Sequence, residues 1–375
     1  MTSRRRFLAV SAAAGTAGLA GCNDVLSDGS SDEPRQASFA DFRGSGPFVE
    51  GRPDLSGDRI EDLPDLEGEL DIYLGGGEGG LYRDLVALLE EVYPGFDARI
   101  RPFGAAEAAN TILTEGESTP ADVFWSVDAG SVGAVADEGL AGTLPTEVVD
   151  PVPEEFRPTD EWVGTAGRAR AVPYNTDMLS AADVPDSVMA FPETAELSNA
   201  MGWAPTYGAY QAFVTAMRVL EGRDRTAAWL RGMLDAGVSE YQDEFLVSNA
   251  VAEGELAAGF ANHYYALRVK ASRPDAPLEL AFTSGDAGAL VNVAAAAPLA
   301  PSDSGDLART FIHHLLTVEA QEFFATRTNG YPMIPGVPPV GGLPPIDELN
   351  PPALDLTELS EVQPTLELLR ETDVL

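Results

Sequence analysis

Apolar positions along the chain change period at regular intervals. Residues 69–74 (ELDIYL) are a short apolar run that predicts a strand. Residues 81–92 (LYRDLVALLEEV) then place Leu81, Leu85, Leu88, Leu89 and Val92 on one helical stripe. The alternation continues with a strand over 98–103, a helix over 105–115 and a strand over 121–126 (ADVFWS). The last is almost continuously apolar, as in a sheet covered on both faces. An extended stretch at 168–176 leads to a second block. It holds helices over 209–221, 223–236 and 245–253, a strand over 256–261, and a helix over 265–271. A strand over 289–297 and a long helix within 306–326 follow. From 336 the chain is Pro-rich, with one short helix near 365–371, and no internal repeat is visible. Strand-helix alternation predicts a doubly wound α/β architecture. Two blocks joined by extended segments predict two lobes, with crossings near 168–176 and 283–292 forming a hinge and a ligand in the cleft. The expected division is lobe 1 over 68–170 and 290–340, lobe 2 over 171–289, and a C-terminal tail over 341–375.

The first residues lack this alternation. Arg4-Arg5-Arg6-Phe7-Leu8 precedes an uncharged Ala/Gly-rich run ending Leu19-Ala20-Gly21-Cys22. The run is shorter than the ~20 residues that span a bilayer, so 1–21 reads as an export signal. The paired arginines resemble a twin-arginine signal, and Leu-Ala-Gly-Cys resembles a lipobox in which Cys22 is lipidated. Cys22 is the only cysteine, so the rest of the chain has no thiol for a disulfide or a Cys-ligated metal. Residues 22–67 are rich in Ser, Asp, Gly, Pro and Glu, and their composition predicts a disordered tether. The expected location is the outer face of the cell membrane, held by the lipid. The remainder, from residue 68, suits two domains better than one.

Charge changes the picture of the surroundings. The formal net charge is -37, and among 23 basic residues only Lys270 is a lysine. Such an acid excess repels itself unless salt screens it, which points to an extremely halophilic host. It also argues against nucleic acid as a partner, while a cationic ligand is compatible with it.

Two stretches carry candidate chemistry. In DIYLGGGEGGLYRDL (71–85), Gly75, Gly77 and Gly80 have the G-x-G-x-x-G spacing of a dinucleotide loop. That reading needs an acidic residue at the end of the second strand to hold the ribose. The strand ends Arg101-Pro102-Phe103-Gly104 instead. The glycines remain a strand-to-helix turn lining a cleft, with free backbone N–H groups. No G-x-S-x-G, H-E-x-x-H or Walker loop occurs, which leaves a secreted oxidoreductase as a weaker alternative.

In FANHYYALR (260–268), Tyr264 and Tyr265 fall where a strand is expected to give way to a helix. Inside a regular helix they would point ~100° apart, whereas an irregular junction would let them share one ligand. Phenolate oxygen is a hard donor suited to a hard trivalent cation such as Fe(III). Core packing or a sugar-like ligand would use the same rings. His263 beside them is a further candidate, although a neighbour at a strand end points away. His313 and His314 lie on the long helix without a carboxylate at zinc spacing and read as packing and surface residues.

Several stretches together resemble the ferric-ion-binding proteins, the substrate-binding components of ABC importers. They are TPADVFWSVDAG (119–130), GRARAVPYNT (167–176), APTYGAY (204–210), AVAEGELAAGFANHYYA (250–266), DAGALVNVAAA (286–296) and NGYPMIPGV (329–337). The resemblance covers about residues 69 to 335. It implies a two-lobe type II periplasmic-binding-protein fold that captures Fe(III), with a synergistic anion such as carbonate or phosphate. It also implies an ABC permease and ATPase as partners, and we expect a monomer with no enzymatic activity.

By the same resemblance Tyr264 and Tyr265 are the phenolate ligands and Asn262 supports the anion. Tyr207, Gly208 and Ala209 offer backbone N–H groups to it, and Arg168 faces it. Departures fall at Gly77, where the family often has a histidine and Glu78 is adjacent, and at Val127, where it has a carboxylate and Asp128 is adjacent. Glu78 and Asp128 are therefore candidate replacement ligands. Glu244 stands at an anion-site asparagine and would repel phosphate. Tyr174 and Tyr207 could each add a phenolate, and the preferred reading of both is cleft-lining aromatics. A rival within the binding class is an organic cation such as thiamine, stacked on Trp125, Tyr264 and Tyr265.

Overall fold

The computed structural model describes residues 37–375, organised around one long strand shared by two half-sheets. In chain order the first half comprises α1 (Phe39–Phe42), β1 (Gly68–Gly75), α2 (Leu81–Val92), β2 (Phe96–Phe103) and α3 (Ala105–Glu115). It continues with β3 (Val123–Ser126), α4 (Ala129–Asp137), α5 (Thr146–Val149) and the shared strand β4 (Val163–Asn175). The second half holds β5 (Met201–Trp203), α6 (Gly208–Glu221), α7 (Arg223–Asp235), β6 (Ser239–Glu240) and α8 (Glu244–Ala252). After it come β7 (Ala258–Gly259), β8 (Ala261–Asn262), α9 (His263–Ser272) and β9 (Leu278–Ala281). The chain returns through β10 (Val291–Pro298), α10 (Gly305–His314) and α11 (Val318–Phe323), and ends with α12 (Gln363–Glu371).

The sheet order is β2-β1-β3-β10-β4-β7-β5-β6. β1 runs parallel to β2 and β3, and β10 lies antiparallel between β3 and β4. The pairing of β4 changes partner along its length. Val163 to Ala169 pair with β10, whereas Arg170 and Ala171 pair with β8 and Val172 to Asn175 with β9. One strand thus hands over from the first lobe to the second, and the return runs from β9 to β10. Leu70, Ile72 and Leu74 of β1 and Val123, Phe124 and Trp125 of β3 are fully buried, as expected of a sheet covered on both faces. No helix among the described residues is long and apolar enough to cross a membrane.

Three expectations are corrected. The signal and Cys22 lie outside the described residues, but residues 37–67 of the expected tether are packed. Phe42, Ile60 and Leu66 are buried, and arginines rather than apolar bulk fix the segment. The Glu322 carboxylate, wholly buried on α11, accepts from Arg43 Nε at 2.7 Å and Arg52 Nη2 at 2.5 Å. Arg59 pairs with Glu319 at 3.2 Å. Second, the long helix over 306–326 is broken: α10 ends at His314, and Thr317 caps α11 by accepting from the Ala320 N–H. Third, the short helix expected near 365–371 starts two residues earlier, at Gln363, in a C-terminal segment that packs onto the molecule. Leu356, Leu359, Leu368 and Leu369 are buried.

Candidate functional site

Residues of the first lobe, of β4 and β10, of the second lobe and of the C-terminal segment line a cavity of about 470 Å³. Lining residues include Asp128, Arg168, Arg170, Tyr207, Gly208, Ala209, Asn262 and Tyr264. Sequence-predicted groups from both blocks therefore meet at one place. Each arrives by a local reason. α6 starts at Gly208 with Tyr207 in N-cap position, and no side chain caps it, so its first N–H groups point outward. A Cβ on Gly208 would meet nothing within 4 Å, so the space in front of this helix end is open.

The tyrosine pair sits where β8 gives way to α9, inside the first turn of the helix. The rings nevertheless converge, with centroids 4.3 Å apart. Tyr264 and Tyr265 are 5% and 8% exposed, so little of either ring faces water. Tyr207 joins them: its hydroxyl is hydrogen-bonded to that of Tyr265, with ring centroids 6.1 Å apart. The sequence reading named Tyr207 as a backbone neighbour of an anion and weighed it as a further phenolate, preferring a cleft-lining ring. The signal that a third hydroxyl belongs here is a contact across 58 residues, which no local pattern carries.

From the first lobe comes Glu78. The turn after β1 runs through left-handed backbone, with Gly77 at φ 118° and a would-be Cβ only 3.0 Å from Leu74, so only glycine fits there. Glu78 lies next to it, and its Oε2 is 3.5 Å from Arg268 Nη2 on α9. The Arg268 guanidinium lies 4.8 Å from the Tyr264 ring centroid and 5.5 Å from that of Tyr265. A carboxylate, three phenols and one arginine therefore form one connected cluster, of which Tyr207 and Tyr264 also line the cavity. Burial, with Glu78 nearby, pushes the Tyr264 phenol up to about 12. Burial, then Tyr264, push Tyr265 higher still. Without a cation, burial keeps the Tyr264 and Tyr265 phenols protonated. A trivalent ion would reverse that by favouring the charged form.

Asp128 lines the cavity, but both its oxygens are occupied. Oδ2 accepts from Ser131 N and Oγ at 2.9 and 2.8 Å, and Oδ1 accepts from Asn292 at 3.2 Å. It is the N-cap of α4, whereas Glu78 lacks any such cap. Glu244 is also not where repulsion of an anion would require it. It is fully buried, pairs with Arg170, and accepts from the Asn262 N–H at 2.8 Å. It thus neutralises Arg170 and fixes Asn262. Arg170 Nη1 also donates to Asn262 Oδ1 at 3.4 Å, while its Nη2 is buried without a partner. Arg168 donates to the Val127 carbonyl through Nη2, and its Nε is likewise unpartnered.

His263 is fully buried: its Nε2 meets the Asn329 carbonyl at 2.7 Å and its Nδ1 meets the Ala169 backbone at 3.2 Å. Neither nitrogen is offered to a ligand. Trp125, invoked for stacking a cation, is buried in the core, stacked on Tyr82 at 4.4 Å and donating to Thr165. That removes one of the three rings on which the organic-cation reading leaned. Among the described residues no cluster of three or more His, Cys, Asp or Glu exists that could hold a metal, so phenols are the alternative donors.

A profile of bacterial extracellular solute-binding proteins matches residues 84–347. The chain belongs to that family. It is similar to the major ferric iron-binding protein of Neisseria meningitidis serogroup B, 30% identical over 283 residues, covering 74% of this chain and 85% of the relative. Iron uptake protein A2 of Synechocystis is 30% identical over 280 residues, covering 69% and 78%. Among solved structures, iron-bound HitA from Pseudomonas aeruginosa superposes with a TM-score of 0.68 at 29% identity, covering 81% of this chain and 99% of HitA. Apo FutA2 from Synechocystis has a TM-score of 0.66 at 23% identity and supports the fold. The fold is the two-lobe periplasmic type of this solute-binding family, and β4 and the β9–β10 return are its hinge strands.

Proposed function

We propose that this chain is the extracytoplasmic capture component of an ABC importer for ferric iron. Tyr264, Tyr265 and Tyr207 serve as phenolate ligands and Glu78 as a carboxylate from the opposite lobe. Convergence of three tyrosines and one carboxylate from three places in the fold, α9, the start of α6 and the turn after β1, is the observation that carries this reading. Hard oxygen donors suit Fe(III), and losing phenol protons to the ion links capture to pH. The two relatives above are named major ferric iron-binding protein and iron uptake protein A2, which supports the same cargo.

A synergistic anion fits beside the metal. The open N-terminus of α6, the unpartnered Arg170 Nη2 and Arg168 Nε, and Asn262 form a cradle with no free carboxylate facing it. Carbonate and phosphate are both compatible with that donor set. The partners in this reading are a membrane permease and its ATPase. The chain would be a monomer, exported by the twin-arginine route and anchored through Cys22 on the outer face of the membrane. In a halophilic host the excess of acid would be screened by salt.

The test is a visible spectrum of the purified protein in molar salt during titration with Fe(III)-citrate. A phenolate-to-metal charge-transfer band is expected, weakened by Tyr207→Phe and removed by Tyr264→Phe with Tyr265→Phe. A colourless wild type that iron does not stabilise against unfolding would overturn the ferric reading.

A further inference from the structure

The chain crosses the cleft a third time, after the two hinge passages. The Asn350 carbonyl and side chain bind Gly285 and Ser284 at 2.9 and 2.8 Å, which starts a strap running along the cleft. Asp355 caps the turn Leu356–Ser360 by accepting from the Thr357 N–H and hydroxyl. That turn lies flat on α4 of the first lobe. A Cβ at Gly130 would come within 3.2 Å of the Leu356 carbonyl oxygen and of the Ser360 nitrogen. One at Gly133 would strike the Thr357 side chain at 2.2 Å. Both glycines therefore make the close approach possible. Five residues beyond Ser360, the strap is fixed to the second lobe. The hydroxyls of Thr365 on α12 and Thr215 on α6 lie 2.7 Å apart, both buried, and Arg218 donates to Thr365 at 3.4 Å. Between these two attachments Leu359, Ser360 and Val362 form one wall of the 470 Å³ cavity that holds Arg170, Asn262 and the start of α6.

This wall has a consequence for which anion the cradle admits, and it rests on the reading of the cradle given above. The arginines, Asn262 and helix end recognise negative charge and hydrogen-bond acceptors, but they place no limit on size. A cavity of this volume falls within the range of small organic ligands, ~300–1,000 Å³, rather than that of a single oxyanion. The apolar side chains of Leu359 and Val362 offer an anion no hydrogen bond and act only by occupying space. We infer that Leu359, Ser360 and Val362 are specificity-determining residues. They set the depth of the cradle so that it takes a polycarboxylate as well as carbonate or phosphate.

The test uses the full-length protein without iron, following thermal unfolding during titration with citrate and, separately, bicarbonate. Both are expected to stabilise the wild type. Val362→Phe, which fills the cavity, should raise the citrate midpoint at least tenfold and leave the bicarbonate midpoint within twofold. Val362→Ala, which cannot clash, is the second variant and should move the citrate-to-bicarbonate ratio the opposite way. An unchanged ratio in Val362→Ala, equal losses for both anions in Val362→Phe, or no stabilisation of the wild type by citrate would each overturn the inference. If Val362→Phe fails to fold, the Val362→Ala ratio decides alone. No iron is present in this titration, so a missing charge-transfer band sinks the ferric reading while leaving the strap test to stand or fall on its own.

Discussion

Two buried arginine–glutamate pairs in this molecule have the same chemistry and different completeness. At the N-terminal clasp, Arg52 donates to both oxygens of Glu322 and to the carbonyls of Pro338 and Pro339, so its hydrogen-bonding directions are filled. In the cleft, Arg170 spends Nη1 on Glu244 and Asn262 and leaves Nη2 buried and unpartnered. A satisfied buried pair rigidifies a joint. A buried pair with a vacant donor is costly unless a ligand or water completes it. In the proposed reading, this open donor of the cleft arginine is where an anion binds.

The largest expected effect breaks the first half of this contrast. Arg52→Ala leaves the buried Glu322 with Arg43 as its remaining arginine partner and should cost up to about 3–5 kcal/mol in chemical denaturation, with no recovery when anions are added. Arg43 also reaches Glu322, so a loss well below that range would mean Arg43 alone satisfies the carboxylate.

A smaller effect sharpens the second half. Arg170→Gln combined with Glu244→Gln removes both charges together, so the fold is expected to survive. A hydrogen bond to a charged group contributes about 1.5–3 kcal/mol, so the anion midpoint should rise roughly 10- to 150-fold. The matched Arg52→Gln with Glu322→Gln variant should leave that midpoint unchanged. Equal anion responses in the two double variants would erase the distinction between them.

What was legible in the sequence follows from how local each signal is. Helix 81–92 declares itself by one leucine stripe, and the structure starts and ends it at those residues. α4 carries no stripe, because AGSVGAVAD is small and buried nearly all round, and the sequence reading missed it. The tyrosine pair stands out because its two rings are adjacent, whereas Tyr207 joins them across 58 positions. The N-terminal segment was misread for a related reason. Composition measures how much apolar surface a segment can bury, and this one is fixed by arginines whose partner lies some 270 residues away. The strap escaped because its seat is made by absent side chains, at Gly130 and Gly133.

The smallest effect probes whether a satisfied buried group at the clasp behaves as satisfied across pH. His314 is buried, its Nδ1 donating to the Thr310 carbonyl and its Nε2 3.0 Å from the Tyr93 hydroxyl. Burial lowers its pKa from the ordinary 6.5 to about 4. The unfolded chain therefore binds a proton that the folded chain refuses anywhere between those two values. Stability contributed by the neutral ring is complete above about 6.5 and is lost as pH falls toward about 4, at about 1.4 kcal/mol per pH unit. Carboxylates titrate over part of the same range, so the wild-type slope alone is not diagnostic. The comparison is with His314→Gln, whose stability should fall less steeply over that window by about that amount. Parallel slopes would mean the imidazole takes up its proton within the folded state, and the clasp would then hold a vacancy of its own.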